Sequence, residues 1–520
     1  PAMMRPLLFT VSSDTGRRVM RIRKTGQKIQ KVLLTVLFLL LLAGCLYLAD
    51  RLVERKDSRE KNGDYFAAAP KADVLLLGSS HMINGINPAV LYENFGIASY
   101  NLGGHGNVLP VTYWEFVNAL DYGTPKYVVI DTYLLEKDYQ YLDVMTDVES
   151  DADRSAAIDQ LHEVMDAFPY GKNKRAALAD LISDPSLRRE FAFDFIRYHS
   201  RWSSLEREDY EGVFGKPCGE SILGAQLRYE VDPGVSLYPR VDPSEKFEDA
   251  TVGKTYLRRI LDLCREKDIF PILVQVPFAE NEDLQRIANS AQDIADEYGI
   301  PFLNMNYVEN IINPETDQQS QTHLNALGAA KTSAWLGAVL SSEVGVPDRR
   351  GEAGYELWEA AVRKYHQQIV TNILNPEDLY AELMTLNFND VSTIIFINND
   401  SVAFYDESLR KLIKNLSGTD GIDVMAGTKL GYCLIHDPVT DTNEETKGTV
   451  PLENIKTSFG TVNFTTLENY DLLSVGENTD ENQLDYVNNG NIDVQILIYD
   501  PASGEKIGHL YFRDGGLVRG

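Results

Sequence analysis

From Asp73 onward, short uninterrupted apolar runs alternate with stretches of helical period. Val74–Leu77, Ser99–Leu102, Tyr127–Ile130, Pro271–Val276 and Pro301–Asn304 read as strands, and Thr255–Glu266, Leu284–Tyr298 and Ala326–Leu340 as helices. Strands apolar on both sides, separated by helices, predict a parallel sheet covered on both faces: a three-layer α/β/α fold. An insertion at residues 133–251 interrupts the series and is mostly helical by period, with Ser155–Phe168, Lys172–Ile182 and Ser186–Tyr198 as its helices. Phe191, Phe195 and Tyr198 share one stripe of the last helix, which reads as a packing face.

After Val346 the texture changes. Tyr355–Ile373 is a charged amphipathic helix, and Asn375-Pro376-Glu377-Asp378 reads as an N-cap with proline at the first helical position. From Val391 the chain turns β-rich, with strands at Thr393–Ile397, Thr461–Phe464, Val494–Tyr499 and Gly508–Phe512; Pro501-Ala502-Ser503-Gly504 turns the last two into a hairpin. The expected order is a basic tail (1–31), an apolar segment (32–49), an α/β domain (50–345), a helical linker (346–387) and a β-rich α+β domain (388–520).

Residues 32–49 carry no charge and, as a helix, span roughly 27 Å, enough for a bilayer core. Arg5, Arg17, Arg18, Arg21, Arg23, Lys24, Lys28 and Lys31 precede them against the single acid Asp14, giving that tail +7. This asymmetry predicts a single-pass plasma-membrane anchor with a cytoplasmic N-terminus and the body outside. A second reading stands beside it: Leu42-Ala43-Gly44-Cys45 is like a bacterial lipobox, which would make Cys45 the lipidated residue of a lipoprotein. Both readings tether an exported body.

The net charge of -28 leaves -35 for the rest of the chain, a balance that repels nucleic acid and anionic lipid. The four cysteines, Cys45, Cys218, Cys264 and Cys433, form no Cys-x-x-Cys pair, so no zinc or thioredoxin motif is implied; Cys264 lies in a helical apolar pattern as a core thiol. No metal-ligand spacing is present.

Candidate chemistry begins at Leu76-Leu77-Gly78-Ser79-Ser80-His81, where the first strand ends. Ligands of a doubly wound sheet bind beyond the carboxyl ends of its strands. A serine at that turn points into the crevice, beside backbone N–H groups free to donate to an oxyanion. A serine needs a base. His323, in the loop entering the last helix of the α/β domain, has the right setting.

The blocks GSSHMINGINPAVLYENFGIASYNLGG, ILVQVP, EYGIPFLNMN and THLNALGA resemble membrane-tethered SGNH/GDSL hydrolase-like proteins of Gram-positive bacteria. Those are relatives of proteins that transfer D-alanine to lipoteichoic acid and of polysaccharide O-acetyltransferases. The resemblance covers about Asp73–Leu340 and extends to the insertion segment Arg197-Tyr198-His199-Ser200-Arg201-Trp202. It implies a flavodoxin-like fold with Ser80 as nucleophile and His323 as base, acting on an acyl ester without metal or cofactor. As partners it implies a cell-surface glycan or acylated polymer, and a membrane-bound acyltransferase supplying acyl groups.

Two departures from that family's pattern stand out. The acid three residues before the histidine is replaced by Ser320, with Asp317 the nearest carboxylate, so the site is a triad through Asp317, a Ser–His dyad, or inactive. The asparagine-bearing block is replaced by Asp131-Thr132-Tyr133, which leaves the amides of Ser80 and of Gly103 or Gly104, and the side chain of Asn107, as oxyanion donors. Candidate substrate contacts are His81, His105, His199 and Arg201; His81 also reads as a capping or packing residue, and Arg201 as stacking on Trp202. His162, His366, His436 and His509 belong to no constellation.

Phe388–Asn399, the helix Glu407–Leu416 and the closing run GNIDVQILIYDPASGEKIGHLYFRDG resemble the interleukin-like EMT-inducer (ILEI-type) domain, a β-rich module that implies carbohydrate or partner binding, or a spacer. Two functions follow as expectations: a serine esterase or O-acyltransferase on cell-envelope glycans, or a non-catalytic glycan-binding or assembly protein on the same fold.

Overall fold

The computed structural model describes residues 13–55, 59–145, 150–213, 221–388, 391–399, 401–466, 471–476 and 492–518. Cys218 and Arg5 lie outside the described residues. The chain forms two units, one of residues 13–55 with 193–213 and one of the remaining described residues.

In the first unit an uncharged run lengthens one helix to Ser13–Val53, since nothing in it breaks the backbone ladder. Its Gln27–Val53 portion, which contains an 18-residue window of mean hydropathy 2.7, is long and apolar enough to cross a membrane. Cys45 lies exposed on it. The helix end is tied to the rest of its unit by polar contacts. Asp50 accepts from the Phe195 amide at 2.7 Å, and Arg201 donates to the carbonyls of Val53 and Glu54 while pairing with Asp209 at 2.9 Å.

The second unit is built on five parallel strands: β1 Val74–Leu77, β2 Ser99–Asn101, β3 Tyr127–Asp131, β4 Phe270–Gln275 and β5 Phe302–Asn304, in the order β2-β1-β3-β4-β5. Strand alternation decides the faces. Leu75, Leu77, Val128, Ile130 and Leu273 point to one core, with the helices Leu109–Ala119, Val252–Lys267 and Ala291–Tyr298. Val74, Leu76, Val129, Ile272 and Val274 point to the other, with Pro88–Phe95 and Ala326–Val339. Both sides are therefore covered, and the strand order reverses at β1 and β3, the place where doubly wound sheets open a crevice. A two-stranded ribbon, β6 Gln318–Ser320 and β7 His323–Leu324, precedes the last of these helices.

Two expected helices are broken. Ser186–Tyr198 is Pro185–Ala192 followed by Asp194–Tyr198, because Phe193 is extended and the Asp50 carboxylate holds the Phe195 amide at the new N-terminus. The stripe is split accordingly: Phe191 is buried and stacks on His162 at 3.6 Å, while Phe195 and Tyr198 belong to the first unit. Leu284–Tyr298 is Glu282–Asn289 and Ala291–Tyr298, interrupted where the Ser290 hydroxyl takes the Ile287 carbonyl at 2.7 Å.

Residues 346–387 pack rather than span. Arg349 makes a two-pronged pair with Asp73 at 2.7 and 3.0 Å, and Trp358, buried on the helix Glu356–Leu374, donates to the Ser99 carbonyl at 2.8 Å. Asn375 ends that helix instead of starting one; the cap of the next helix, Leu379–Leu386, is Asp378, which accepts from the Ala381 amide.

Beyond it lies an antiparallel sheet of β8 Ser392–Ile397, β9 Tyr432–Asp437, β10 Thr442–Glu445, β14 Val494–Tyr499, β15 Lys506–Arg513 and β16 Gly516–Leu517, in the order β10-β9-β8-β14-β15-β16. One face takes Glu407–Ser417 through Leu409, Leu412 and Leu416. The other takes a small sheet, β11 Leu452–Thr457, β12 Gly460–Thr466 and β13 Asp471–Val475, through Val462, Phe464 and Leu473. Cys264 and Cys433 are both buried thiols.

Candidate active site

The turn after β1 is shaped by its residue types. Gly78 has φ +148°, and a Cβ there would stand 2.4 Å from that of Asp131, so only glycine fits. Ser79 caps the short helix Ser80–Gly85, accepting from the His81 amide at 3.1 Å and donating to Asp131 at 2.7 Å. Burial pushes Asp131 up to about 6 against the hydrogen bonds of Ser79, Tyr133 and Thr132. With Ser79 thus engaged, Ser80 is left at the first helical position, its own amide in a turn that has no intrahelical acceptor.

The base arrives from the other end of the domain. Asn325 caps the helix Ala326–Val339, accepting from the Leu327 and Gly328 amides and donating to the Thr316 carbonyl at 2.8 Å. That brace sets His323 on β7 so that its Nε2 lies 2.9 Å from Ser80 Oγ. Its Nδ1 lies 2.9 Å from Thr322 Oγ1 and 3.4 Å from Ser320 Oγ. For Nε2 to accept from Ser80, the ring must carry its proton on Nδ1, where the Thr322 hydroxyl can take it. Burial, then the neighbouring His105 and Arg228, pushes His323 down to about 4, so the ring is neutral at ordinary pH.

Asp317 does not reach the imidazole. It is fully buried, pairs with Lys331 at 2.6 Å, and accepts from Thr316 and the Asn313 amide. It closes the loop before β6. Ser320 does stand beside His323, in the register pair that joins β6 to β7.

Three expected oxyanion donors are spent inside the fold. Gly103 N–H donates to Asn101 Oδ1, Gly104 N–H to the Gly78 carbonyl, each at 3.0 Å, and the Asn107 amide to Glu115 at 3.0 Å. The Gly104–Gly78 bond holds the glycine loop against the nucleophile turn, and the Ser80 amide is the remaining donor of the expected set. His105 does lie near the pair, its Nε2 3.0 Å from Gln226 Oε1 and 3.3 Å from Arg228.

Arg228 went unread in the sequence. It sits on an irregular segment stitched along the site: the Gln226 amide donates to the Ile83 carbonyl, and the Ala326 amide to that of Arg228 at 2.7 Å. Among the described residues no carboxylate pairs with Arg228, which leaves its charge facing the two histidines. An irregular stretch has no period, so nothing in the sequence could have singled it out.

His81 packs. It is 3% exposed, stacks on Phe278 at 4.2 Å and meets Tyr133 edge-on at 3.9 Å. Burial, then His323, pushes it down to about 3. His199 and Arg201 belong to the first unit. His199 is exposed with Nδ1 3.1 Å from the Ile196 carbonyl, and Arg201 is engaged by the carbonyls and Asp209 described above rather than by Trp202, which is exposed.

No protein-family model and no curated protein matches the chain.

Proposed function

We propose that this protein is a serine-dependent acyl-ester hydrolase or O-acyltransferase of the SGNH type, held at the plasma membrane and acting on cell-envelope glycans outside it. The observation that carries this reading is the 2.9 Å contact between Ser80 Oγ and His323 Nε2, made across 243 residues of chain at the carboxyl edge of a doubly wound sheet. His323 takes the hydroxyl proton as Ser80 attacks the acyl carbonyl. The Ser80 amide donates to the resulting oxyanion, with Arg228 supplying positive charge nearby. Collapse expels the alcohol, which takes the proton back from His323. Water or a sugar hydroxyl then attacks the acyl-enzyme with His323 again as base, giving hydrolysis or transfer. The acyl donor would come from a membrane-bound acyltransferase. The helix Ser13–Val53 supports the tether, and its basic flank an N-terminus in the cytoplasm.

A second reading, a non-catalytic glycan-binding protein on this fold, is favoured by one observation: the amides of Gly103, Gly104 and Asn107 are all engaged internally. A fluorophosphonate probe on the full chain in detergent separates the two. Labelling that disappears in Ser80→Ala and His323→Ala is the expected result, with turnover of an aryl acetate lost in parallel. An unlabelled Ser80 and no turnover would leave the binding reading.

A further inference from the structure

The segment Arg197-Tyr198-His199-Ser200-Arg201-Trp202 has no task in the acyl-ester chemistry of Ser80. It belongs to residues 193–213, which return across 145 residues of chain to the end of the apolar helix and form one unit with it. The segment consists of the helix Asp194–Tyr198, the tight helical turn His199–Ser204 and the helix Arg207–Val213. Three fastenings fix its height along the apolar helix. The Phe195 amide donates at 2.7 Å to Asp50, the first charged residue after the uncharged run 32–49. Arg201 donates to the carbonyls of Val53 and Glu54, which no further helical turn takes up. Asp209 accepts from Arg201 and from the Glu206 amide, each at 2.9 Å.

Each fastened residue is followed in the chain by a large apolar side chain that is left out. Ile196 follows Phe195, Trp202 follows Arg201 and Tyr210 follows Asp209, and they are 46, 58 and 52% exposed. Tyr47, 53% exposed on the apolar helix, lies about 5 Å from the level of Asp50 at the helical rise of roughly 1.5 Å per residue. The acids Asp50, Glu54 and Asp209 are meanwhile buried. Four large apolar groups exposed around one helix end mark a surface that meets something other than water. Ser200, Ser203, Glu206 and Arg207 are exposed on the same segment, so the surface mixes apolar and polar groups. That mixture, with tyrosine and tryptophan carrying both an apolar body and a polar tip, suits the boundary between acyl chains and headgroups.

Continuity with the helix selects the occupant. Whatever surrounds the helix where its uncharged run ends at Ala49 also surrounds a segment fastened at Asp50. We propose that residues 193–213 form an interfacial collar, with Ile196, Trp202 and Tyr210 seated beside Tyr47 in the headgroup layer where the helix emerges. The proposal rests on the helix Ser13–Val53 crossing the membrane and is independent of the chemistry at Ser80. Such a collar sets the depth of the helix, because these side chains resist being drawn into water or pushed into hydrocarbon.

The test uses the full chain reconstituted in phosphatidylcholine vesicles, with flotation on sucrose to show that the membrane holds it. Tryptophan emission is compared between ordinary lipid and lipid brominated high on the acyl chain, for the unmodified chain and for Trp202→Phe. Trp114, Trp335 and Trp358 lie in the other unit, so the difference between the two chains reports Trp202. That difference emission should fall about twofold or more in brominated lipid. Ile196→Trp, added to Trp202→Phe, should restore the quenching. Circular dichroism checks each fold; both replaced side chains are exposed. Where brominated lipid leaves the difference emission unchanged, aqueous acrylamide is applied. Quenching by acrylamide places Trp202 in water, and quenching by neither places it under protein, such as a second copy of the chain. Either result overturns the collar and keeps the anchor. A chain that does not float overturns the anchor, and the collar with it.

Discussion

Thr322 gives the His323 imidazole a neutral partner where a carboxylate is the usual one, so burial, with His105 and Arg228 beside it, sets the pH at which the ring can serve as the proposed base. A protonated imidazole cannot accept from Ser80, so activity requires pH above the folded pKa of about 4. kcat/KM for an aryl acetate should therefore rise through pH 4 and be flat by 6.5, the ordinary histidine value, where a carboxylate-paired base would still be climbing. Ser320→Asp, placing a carboxylate where Ser320 Oγ lies 3.4 Å from Nδ1, should move that limb upward by a unit or more and raise the plateau; an unmoved limb would mean the side chain does not engage. Asp317→Asn, by contrast, should leave the limb in place, since Asp317 is held by Lys331. The paired serines divide the labour. Ser80→Ala removes one hydroxyl from a crevice and should abolish turnover with little change in melting. Ser79→Ala removes a helix cap and a partner of buried Asp131, and should cost on the order of 2 kcal/mol, read as a lowered melting temperature.

At the level of elements, β1, β3 and β4 were legible because each is apolar on both sides, a signal that survives without an alignment. The helix boundaries were less so. Ser290 and Phe193 interrupt helices through a hydroxyl and an extended backbone, neither of which disturbs the apolar period. In the β-rich region β9, β10, β11, β13 and β16 went unread; β11 exposes Glu453, Asn454 and Lys456 and so lacks an apolar run. A serine after the first strand and His323 before the last helix were readable from their order, and the choice of Ser80 over Ser79 came from the resemblance; the spent amides of the glycine loop were not readable, because hydrogen-bond partners across a fold leave no trace in spacing. The stretch after Val346 carries a prediction. Trp358, Tyr365 and Ile369 are buried against the α/β core, and Arg349 holds Asp73. A chain ended at Leu340 should therefore melt more than 10 °C below one ended at Leu374, or aggregate, by differential scanning fluorimetry. Equal melting would show that the helix Glu356–Leu374 is dispensable to that core.

Across the whole molecule, charge is sorted along the chain: a tail of +7 before the apolar helix and -35 after it. The sorting was visible from composition alone, and it predicts that protease added to intact spheroplasts degrades the acidic body. Protection of the body until the membrane is dissolved would reverse the orientation. The 243 residues between Ser80 and His323 have a further consequence, in time. Chains are synthesised at roughly 5–20 residues per second, so about 10–50 s pass between the making of the nucleophile and the making of its base. For that interval, and until the helix behind His323 docks, the growing chain carries a serine with nothing to deprotonate it. On the acyl-ester reading proposed above, ester cleavage would thereby be withheld from the nascent polypeptide and granted only to a finished α/β core.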